Sequence, residues 1–179
     1  MMKKDWTIVD VLKHSRHDWL NKIQLIKGNI ALNKYDRVKE IIDEIVMETQ
    51  NEARLTNLQL TELASFFMTY NWEEHKFPIE YEVIGTARDL AKYDDELTAW
   101  CEQFFQLIEN NTVLNGENHL MITVELFDEE VRFLFDFSGI INDTELVIES
   151  LEKGNESDQI QLIEYEVHPH ELIASIAVI

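Results

Sequence analysis

The sequence predicts an α+β protein with two parts, an N-terminal antiparallel helical hairpin and a domain of mixed helices and strands. In the first thirty positions, apolar residues recur at alternating spacings of three and four, which is typical of a helix packed in a bundle. Beyond about residue 60, runs with period-two alternation interrupt further helical patterns. We therefore assign residues 1–60 to the hairpin and residues 61–179 to an α/β sandwich.

The hairpin is predicted from two long helical patterns with a short break between them. The first runs from Asp5 to about Asn33 without a proline, and the second runs from Tyr35 to about Asn57. The bundle seam of the first helix consists of Val9, Leu12, Arg16, Trp19, Ile23, Ile26 and Ile30. Two helices alone would leave such seams in water, so we predict a homodimer that forms a four-helix bundle.

The second part begins after a joint at residues 58–61. An apolar helix from Glu62 to Trp72 follows, either separate or continuous with the previous helix through a kink, and Pro78 ends it. The remaining predicted elements are a strand at 79–84, a helix capped by Asp94 or Asp95 and running to about Leu114, a strand hairpin at 119–127 and 131–137, a helix from Asp143 to Lys153, and a second hairpin at 159–167 and 171–179 turned at His168-Pro169-His170.

Composition limits the partners and the compartment. The 179 residues include 35 acidic and 15 basic side chains, for a formal charge of −20, which argues against a nucleic-acid partner. A single cysteine, Cys101, rules out an internal disulfide and fits a reducing compartment. No apolar run approaches the roughly 20 residues of a membrane helix. We expect a soluble cytoplasmic protein with no membrane partner.

One polar strip on the first helix is the candidate functional site. His17 lies one residue beyond a seam position and shares an outward strip with Asp10, His14, Asn21 and Gln24. Three interpretations are open: a solvated surface histidine, a metal pair of His14 with His17, and a nucleophilic imidazole. The metal pair lacks a cysteine or a third ligand nearby.

The residues around His17 favour the nucleophile. Asp18 follows it directly and can set the tautomer or basicity of the ring, while the amide of Asn21, one turn later, can contact an incoming phosphoryl oxygen. Arg16 and Lys22 add positive charge in a chain that is otherwise acidic.

The run His17-Asp18-Trp19-Leu20-Asn21-Lys22 resembles the phosphoacceptor box of two-component histidine kinases, in the variant that ends in Asn-Lys. The longer run from His14 through Asn29, continued at residues 34–38, is similar to the sporulation initiation phosphotransferase B family of endospore-forming bacilli. The match is dense over residues 12–47 and looser but collinear through residues 71–72, 80–83 and 117–120, so that it spans most of the chain.

The order of elements in the second part resembles the ATP-binding domain of histidine kinases in a degenerate form. Asn110 matches the asparagine that holds Mg²⁺ there, but Val113 stands where a basic residue is usual. Asp136 matches the adenine-contacting turn, although Ser138 and Ile140 replace its glycines. No second glycine-rich loop follows. Gly154 stands among Glu152, Asn155, Glu156 and Asp158, and the acidic residues of this group would repel a triphosphate.

The resemblance implies a phosphorelay phosphotransferase without ATP chemistry, a cofactor or a metal of its own. His17 would take a phosphoryl group from a single-domain sporulation response regulator, whose pocket supplies Mg²⁺, and pass it to the receiver domain of the sporulation master transcription regulator. Arg16, Asp18, Asn21 and Lys22 would support transfer, and the strip of Asp10, His14 and Gln24 would dock the regulators. The alternatives are a sensor histidine kinase fragment of the citrate and fumarate type, which autophosphorylates from ATP, and a non-catalytic dimeric adaptor.

Overall fold

The computed structural model describes residues 6–114, 117–128, 130–153 and 159–178. The chain divides into two compact units, Met1–Gln50 and Asn51–Ile179, and the division falls within a helix. The first unit is helical and the second holds a mixed five-stranded sheet with helices, which confirms the predicted fold class. Dimerisation of the helical part stays a prediction.

The helical unit is a hairpin of α1 (Ile8–Ala31) and the larger part of α2 (Tyr35–Thr56). Thr7 caps α1 in a capping box with Asp10, in which each side chain accepts a hydrogen bond from the other residue's backbone. Asn33 adopts a left-handed conformation with φ of 56°, which lets the chain reverse within a connection of three residues.

After the end of α2, the described residues of the second unit form three further helices and five strands. They are α3 (Thr61–Tyr70), β1 (Ile79–Gly85), α4 (Asp94–Asn111), β2 (His119–Leu126), β3 (Val131–Ser138), α5 (Thr144–Lys153), β4 (Ile160–His168) and β5 (Glu171–Val178), with a 3₁₀ turn at Ala91–Tyr93. The strand order is β1-β2-β3-β5-β4; β1 runs parallel to β2, and every other pair is antiparallel.

All three helices lie on one face of the sheet, which we call the inner face. Phe67 of α3 contacts Tyr81 of β1, and Trp100 of α4 contacts Phe135 of β3 with ring centroids 5.1 Å apart. On α5, Glu152 accepts a hydrogen bond of 2.8 Å from Tyr165 of β4. Fully buried inner-face side chains of the central strands include Leu120, Ile122, Phe133, Phe135, Phe137 and Ile176. The opposite, outer face carries the alternate residues of each strand.

The helix predicted from Glu62 to Trp72 is present as α3, but the expectation that Pro78 ends it is wrong, and of the two open alternatives the helix is separate from α2. The third helix ends at Tyr70, well before Pro78, because Asn71 turns away and its side chain exchanges two hydrogen bonds with the backbone of Ile79 at the start of β1. It is also not a continuation of α2, because Gln59 takes a φ of 62° and interrupts the helical path.

The predicted cap of α4 is also wrong. Neither Asp94 nor Asp95 is the N-cap residue, which is Tyr93 and has no side-chain cap. The Asp94 carboxylate instead accepts hydrogen bonds from the backbone amides of Glu62 and Leu63, at 2.9 and 3.0 Å. It therefore caps α3, a helix more than thirty residues away in sequence, whose own N-cap side chain makes no such bond.

Within the part of the chain that the structure describes, no helix is both long and apolar enough to cross a membrane.

Candidate functional site

His17 lies in the third turn of α1, where its side chain is 73% exposed. Thr7 fixes the start of this helix and no proline interrupts it, so the backbone beneath His17 is regular. The imidazole is therefore presented to solvent from a rigid helical base, as the sequence predicts.

The ring nitrogen Nδ1 of His17 faces its own helix. The amide nitrogen Nδ2 of Asn21 lies 3.2 Å from it, and the carboxylate oxygen Oδ1 of Asp18 lies 3.5 Å from it. No described residue forms a hydrogen bond with the other ring nitrogen, Nε2. Asn21 and Asp18 thus orient the ring through one nitrogen, which leaves the second nitrogen available to a molecule that arrives from outside.

The other members of the strip differ in how far they are engaged. Asp10 is tied to Thr7 by the capping box, so its carboxylate helps to define the start of α1. His14 packs edge-on against Trp6, with ring centroids 4.9 Å apart. Gln24 is exposed. A docking role for these three residues stays a prediction.

The two flanking cations also differ. Arg16 is exposed, whereas Lys22 forms an ion pair with Glu48 on α2 and lies 5.9 Å above the Trp19 ring. Sequence reasoning missed Glu48, because a partner 26 residues away on the other arm of a hairpin leaves no local pattern. Lys22 therefore joins the two helices at the level of the site, while Arg16 remains on the exposed surface.

The apolar seam beside the strip is largely in contact with water. No described residue of α1 is buried, and Trp19 and Ile23 are 49% and 48% exposed. Ile42 and Val46 of α2 are exposed to a similar extent. This apolar surface is unusual for a folded unit that stands alone.

The residues that match the kinase nucleotide motifs are not brought together. Asn110 lies at the exposed end of α4, on the inner side of the sheet, and accepts a hydrogen bond from Gln106. Asp136 belongs to the outer face, because its register partners are Met121 and Ile173. Gly154 and its neighbours Asn155, Glu156 and Asp158 lie outside the described residues.

The turn after Asp136 is held by the protein's own groups. The backbone amides of Gly139 and Ile141 donate to the carbonyls of His170 and Pro169. A Cβ on Gly139 would lie 2.5 Å from Oδ1 of Asn118, a buried side chain that itself donates to the carbonyls of Lys76 and Val113. The turn thus has neither spare amides nor space on that side.

A polar cluster closes the neighbouring end of α4. The Lys76 ammonium donates to the carbonyls of Glu109 and Thr112, at 2.6 and 2.9 Å. The Glu109 carboxylate lies 3.1 Å from Nδ1 of His75, which stacks on Tyr70. Burial, with the nearby charge of Glu109, raises the pKa of the Tyr70 phenol well above its usual range. A cation of the chain itself thus occupies the carbonyl end of the helix that carries Asn110.

No group of three histidine, cysteine or acidic side chains able to hold a metal occurs among the described residues. Cys101 is fully buried, and this burial raises the pKa of its thiol well above the usual range, so it is packed rather than reactive.

Two protein-family models match this chain, and together they define the class of protein to which it belongs. Residues 1–58 match the α-helical domain of sensor kinases of the SpoOB type, which includes the helix that carries His17. Residues 59–179 match the C-terminal domain of sporulation initiation phosphotransferase B.

The chain is also 37% identical to the sporulation initiation phosphotransferase B of Bacillus subtilis (strain 168), over 171 residues that cover 94% of this chain and 88% of the relative. The chain therefore belongs to the sporulation initiation phosphotransferase B family. This membership supports a phosphotransferase role in the sporulation phosphorelay.

Solved histidine kinases are more distant. The Acinetobacter baumannii histidine kinase AdeS is 12% identical, with a TM-score of 0.41 over 90% of this chain and 96% of that chain. A blue-light activated histidine kinase from Erythrobacter litoralis is 11% identical, with a TM-score of 0.45 over 99% of this chain and 61% of that chain. At TM-scores this low, neither likeness adds to the family assignment.

Proposed function

We propose that His17 is the residue through which this chain relays a phosphoryl group between two response regulators. Nε2 of the neutral ring attacks the phosphorus of a regulator's aspartyl phosphate in line, a P–N bond forms, and the aspartate leaves as a carboxylate. The reverse reaction loads the aspartate of a second regulator. The observation that carries the proposal is the exposed ring of His17, with Nδ1 engaged and Nε2 open.

The neighbours of His17 support Nε2 as the nucleophile. A neutral imidazole keeps its lone pair on one nitrogen only, so Nε2 is nucleophilic when the proton resides on Nδ1. The Asp18 carboxylate can only accept a hydrogen bond and stabilises that tautomer. Asn21 supports it once its amide turns to present Oδ1 instead of Nδ2 to the ring.

The regulators would supply most of the remaining chemistry. Phosphoryl transfer depends on positioning and on neutralising charge, and the acidic pocket of a regulator brings its own Mg²⁺ and lysine to the phosphate. We infer that the donor is a single-domain sporulation response regulator and that the acceptor is the receiver domain of the sporulation master transcription regulator. Arg16 offers a cation beside the site, and Asp10, His14 and Gln24 extend the contact surface.

The same proposal includes a homodimer and no use of ATP. A second hairpin that covers the exposed seam would complete a four-helix bundle and remove apolar side chains such as Trp19 and Ile23 from water. The separation of Asn110 from Asp136, and the Lys76 ammonium on the α4 carbonyls, support a domain that serves the fold and not nucleotide binding.

The direct test mixes the purified chain with a single-domain regulator that carries a labelled aspartyl phosphate. We expect an acid-labile, base-stable phosphate on this chain, and ³¹P NMR should place it on Nε2. His17→Gln should lower transfer by about a thousandfold or more, since the nucleophile is removed. His170→Gln is the matched control, because it removes an exposed imidazole from the turn between β4 and β5, outside the proposed site, and should retain the transfer.

Two results would contradict the proposal in different ways. Labelling of His17 by ATP without a regulator would favour the sensor kinase. Unchanged pathway output with His17→Gln would favour the non-catalytic adaptor.

A further inference from the structure

The outer face of the sheet has a regular arrangement of charge that the relay does not use. Its rows follow from the strand register. One row reads Glu80, Met121, Asp136, Ile173 and Glu166 across β1, β2, β3, β5 and β4. The next row reads Glu82, Thr123, Leu134, Ser175 and Glu164 in the same strand order. Each row therefore has a glutamate at both ends, with Asp136 at the centre of the first row and Leu134 at the centre of the second.

Apolar side chains lie near the centre of this face, on the side of the sheet opposite to α3, α4 and α5. Met121, Leu134 and Ile173 are partly exposed there, while α3, α4 and α5 all pack against the inner face. We call these three side chains with their glutamate borders the outer patch. The three apolar side chains occupy neighbouring register positions on three sides of Asp136.

The charge on the outer face is strongly one-sided. Seven carboxylates project from it, namely Glu80, Glu82, Glu125, Asp136, Glu164, Glu166 and Glu171. Among the described strand residues of this face, Arg132 is the one permanently charged cation, and Glu130 already pairs with it. Such a surface repels nucleic acids and anionic membranes and attracts a partner with positive charge.

We propose that the outer patch docks a cationic amphipathic helix of a partner protein. Glu82 and Glu164 stand four strand spacings apart, which is about 19 Å. A helix of about 10–12 Å diameter fits between them, and its flanking lysine or arginine side chains span the rest. The apolar stripe of that helix packs on Leu134 and Ile173, as a helix does on the second face of an α/β sheet.

The test uses the full chain and a defined probe. The probe is a fluorescent 18-residue peptide of leucine, alanine and lysine, with leucines on one stripe and lysines on both flanks of a helix. We expect saturable binding that weakens as salt increases. The double variant Glu82→Lys with Glu164→Lys should weaken binding by about tenfold or more.

The matched control is Glu102→Lys with Glu145→Lys, which changes the net charge equally at exposed positions of α4 and α5. This control should bind within about twofold of the unaltered chain. A second pair, Leu134→Ala and the exposed helical Leu146→Ala, tests the apolar contact if the charge variant does not fold. Only Leu134→Ala should weaken binding, by several-fold.

Three outcomes would overturn the proposal. The first is no saturable binding below about 100 µM, which is weaker than a specific helix-in-groove contact would give. The second is an equal loss in both charge variants, which would mean binding to net charge alone. The third is a change in the sedimentation of the free chain with the Glu82 and Glu164 variant, which would mean that a second copy covers the face.

Discussion

The helical unit and the α+β unit solve the problem of burial in opposite ways. The sheet unit encloses a continuous core in which Phe133, Phe135 and Phe137 are fully buried against α3 and α4. Among residues 6–50, which the structure describes in the helical unit, only Val38 and Ile41 are buried, and neither belongs to α1. One unit can thus account for its own stability, while the other presents unburied apolar side chains.

The buried core lies mainly in the sheet unit, whereas the candidate functional residues lie in the helical unit. His17 and its neighbours all lie on the helix with no buried residue, whereas in the well-packed domain Asn110 lies at the end of α4 and Asp136 on the outer face of the sheet. Under the proposed function, His17 must meet two different proteins, and a position outside any core leaves it accessible to both. The predictions below compare the two units, beginning with the largest expected effect.

Core truncation should separate the two units most strongly. Phe135→Ala removes a fully buried ring that contacts Trp100 and Phe104, and it should lower the free energy of unfolding by about 3–5 kcal/mol. Denaturant titration measures this loss. Phe127→Ala, at a ring that is 50% exposed, is the control and should change stability little. Equal losses of unfolding free energy in the two variants would mean that Phe135 is not part of a tightly packed core.

Charge placed on the seam should act on assembly instead of on the fold. Ile23→Asp puts a carboxylate into the predicted dimer interface, and we expect sedimentation of a monomer at micromolar concentration. Leu20→Asp, one turn from His17 but off the seam, is the control and should leave the dimer intact. If the unaltered chain is itself a monomer, the four-helix bundle is wrong.

Removal of the orienting amide should affect rate more than binding. Asn21→Ala deletes the group 3.2 Å from Nδ1 of His17, and we expect transfer to slow by about 5–20-fold with regulator affinity retained. Gln24→Ala, on the same strip, should instead weaken regulator binding and leave the rate in the bound complex unchanged. Single-turnover kinetics separate the two, and the reverse pattern would exchange their roles.

The smallest effect concerns the cap of α3. Asp94→Ala leaves the amides of Glu62 and Leu63 without their acceptor and should cost about 1 kcal/mol of unfolding free energy. Asp95→Ala removes the neighbouring exposed carboxylate and should cost much less. Similar losses of unfolding free energy in the two variants would mean that Asp94 does not cap α3.

The sequence predicted nearly every element of both units, because periodicity and turn residues are local signals. The second helix begins at Tyr35 as predicted, and the strands from β1 to β5 fall within one or two residues of their predicted ranges. The exposed position of His17 followed from counting along one helix face. These features need no knowledge of distant residues.

The features that the sequence missed all depend on distant residues. The parallel pairing of β1 with β2, and the place of β5 between β3 and β4, are set by which surfaces meet and not by any local pattern. Asp94 is the first residue of α4 and yet caps α3, and Lys22 pairs with Glu48 on the other arm of the hairpin. Such a side chain has several possible partners along the sequence, and only the packing of the folded chain determines which of them it contacts.

The position of β5 also fixes an order of events during synthesis. Of the five described strands of the sheet, this one leaves the ribosome last, yet it stands between β3 and β4 and supplies Leu172, Ala174 and Ile176 to the core. Until β5 emerges, β4 has no hydrogen-bonded neighbour in the sheet, and the phenylalanines of β3 lack the side chains of the adjacent strand that pack beside them. The domain must therefore complete its folding after translation has passed Val178, and nascent chains halted earlier should bind chaperones that recognise exposed apolar segments.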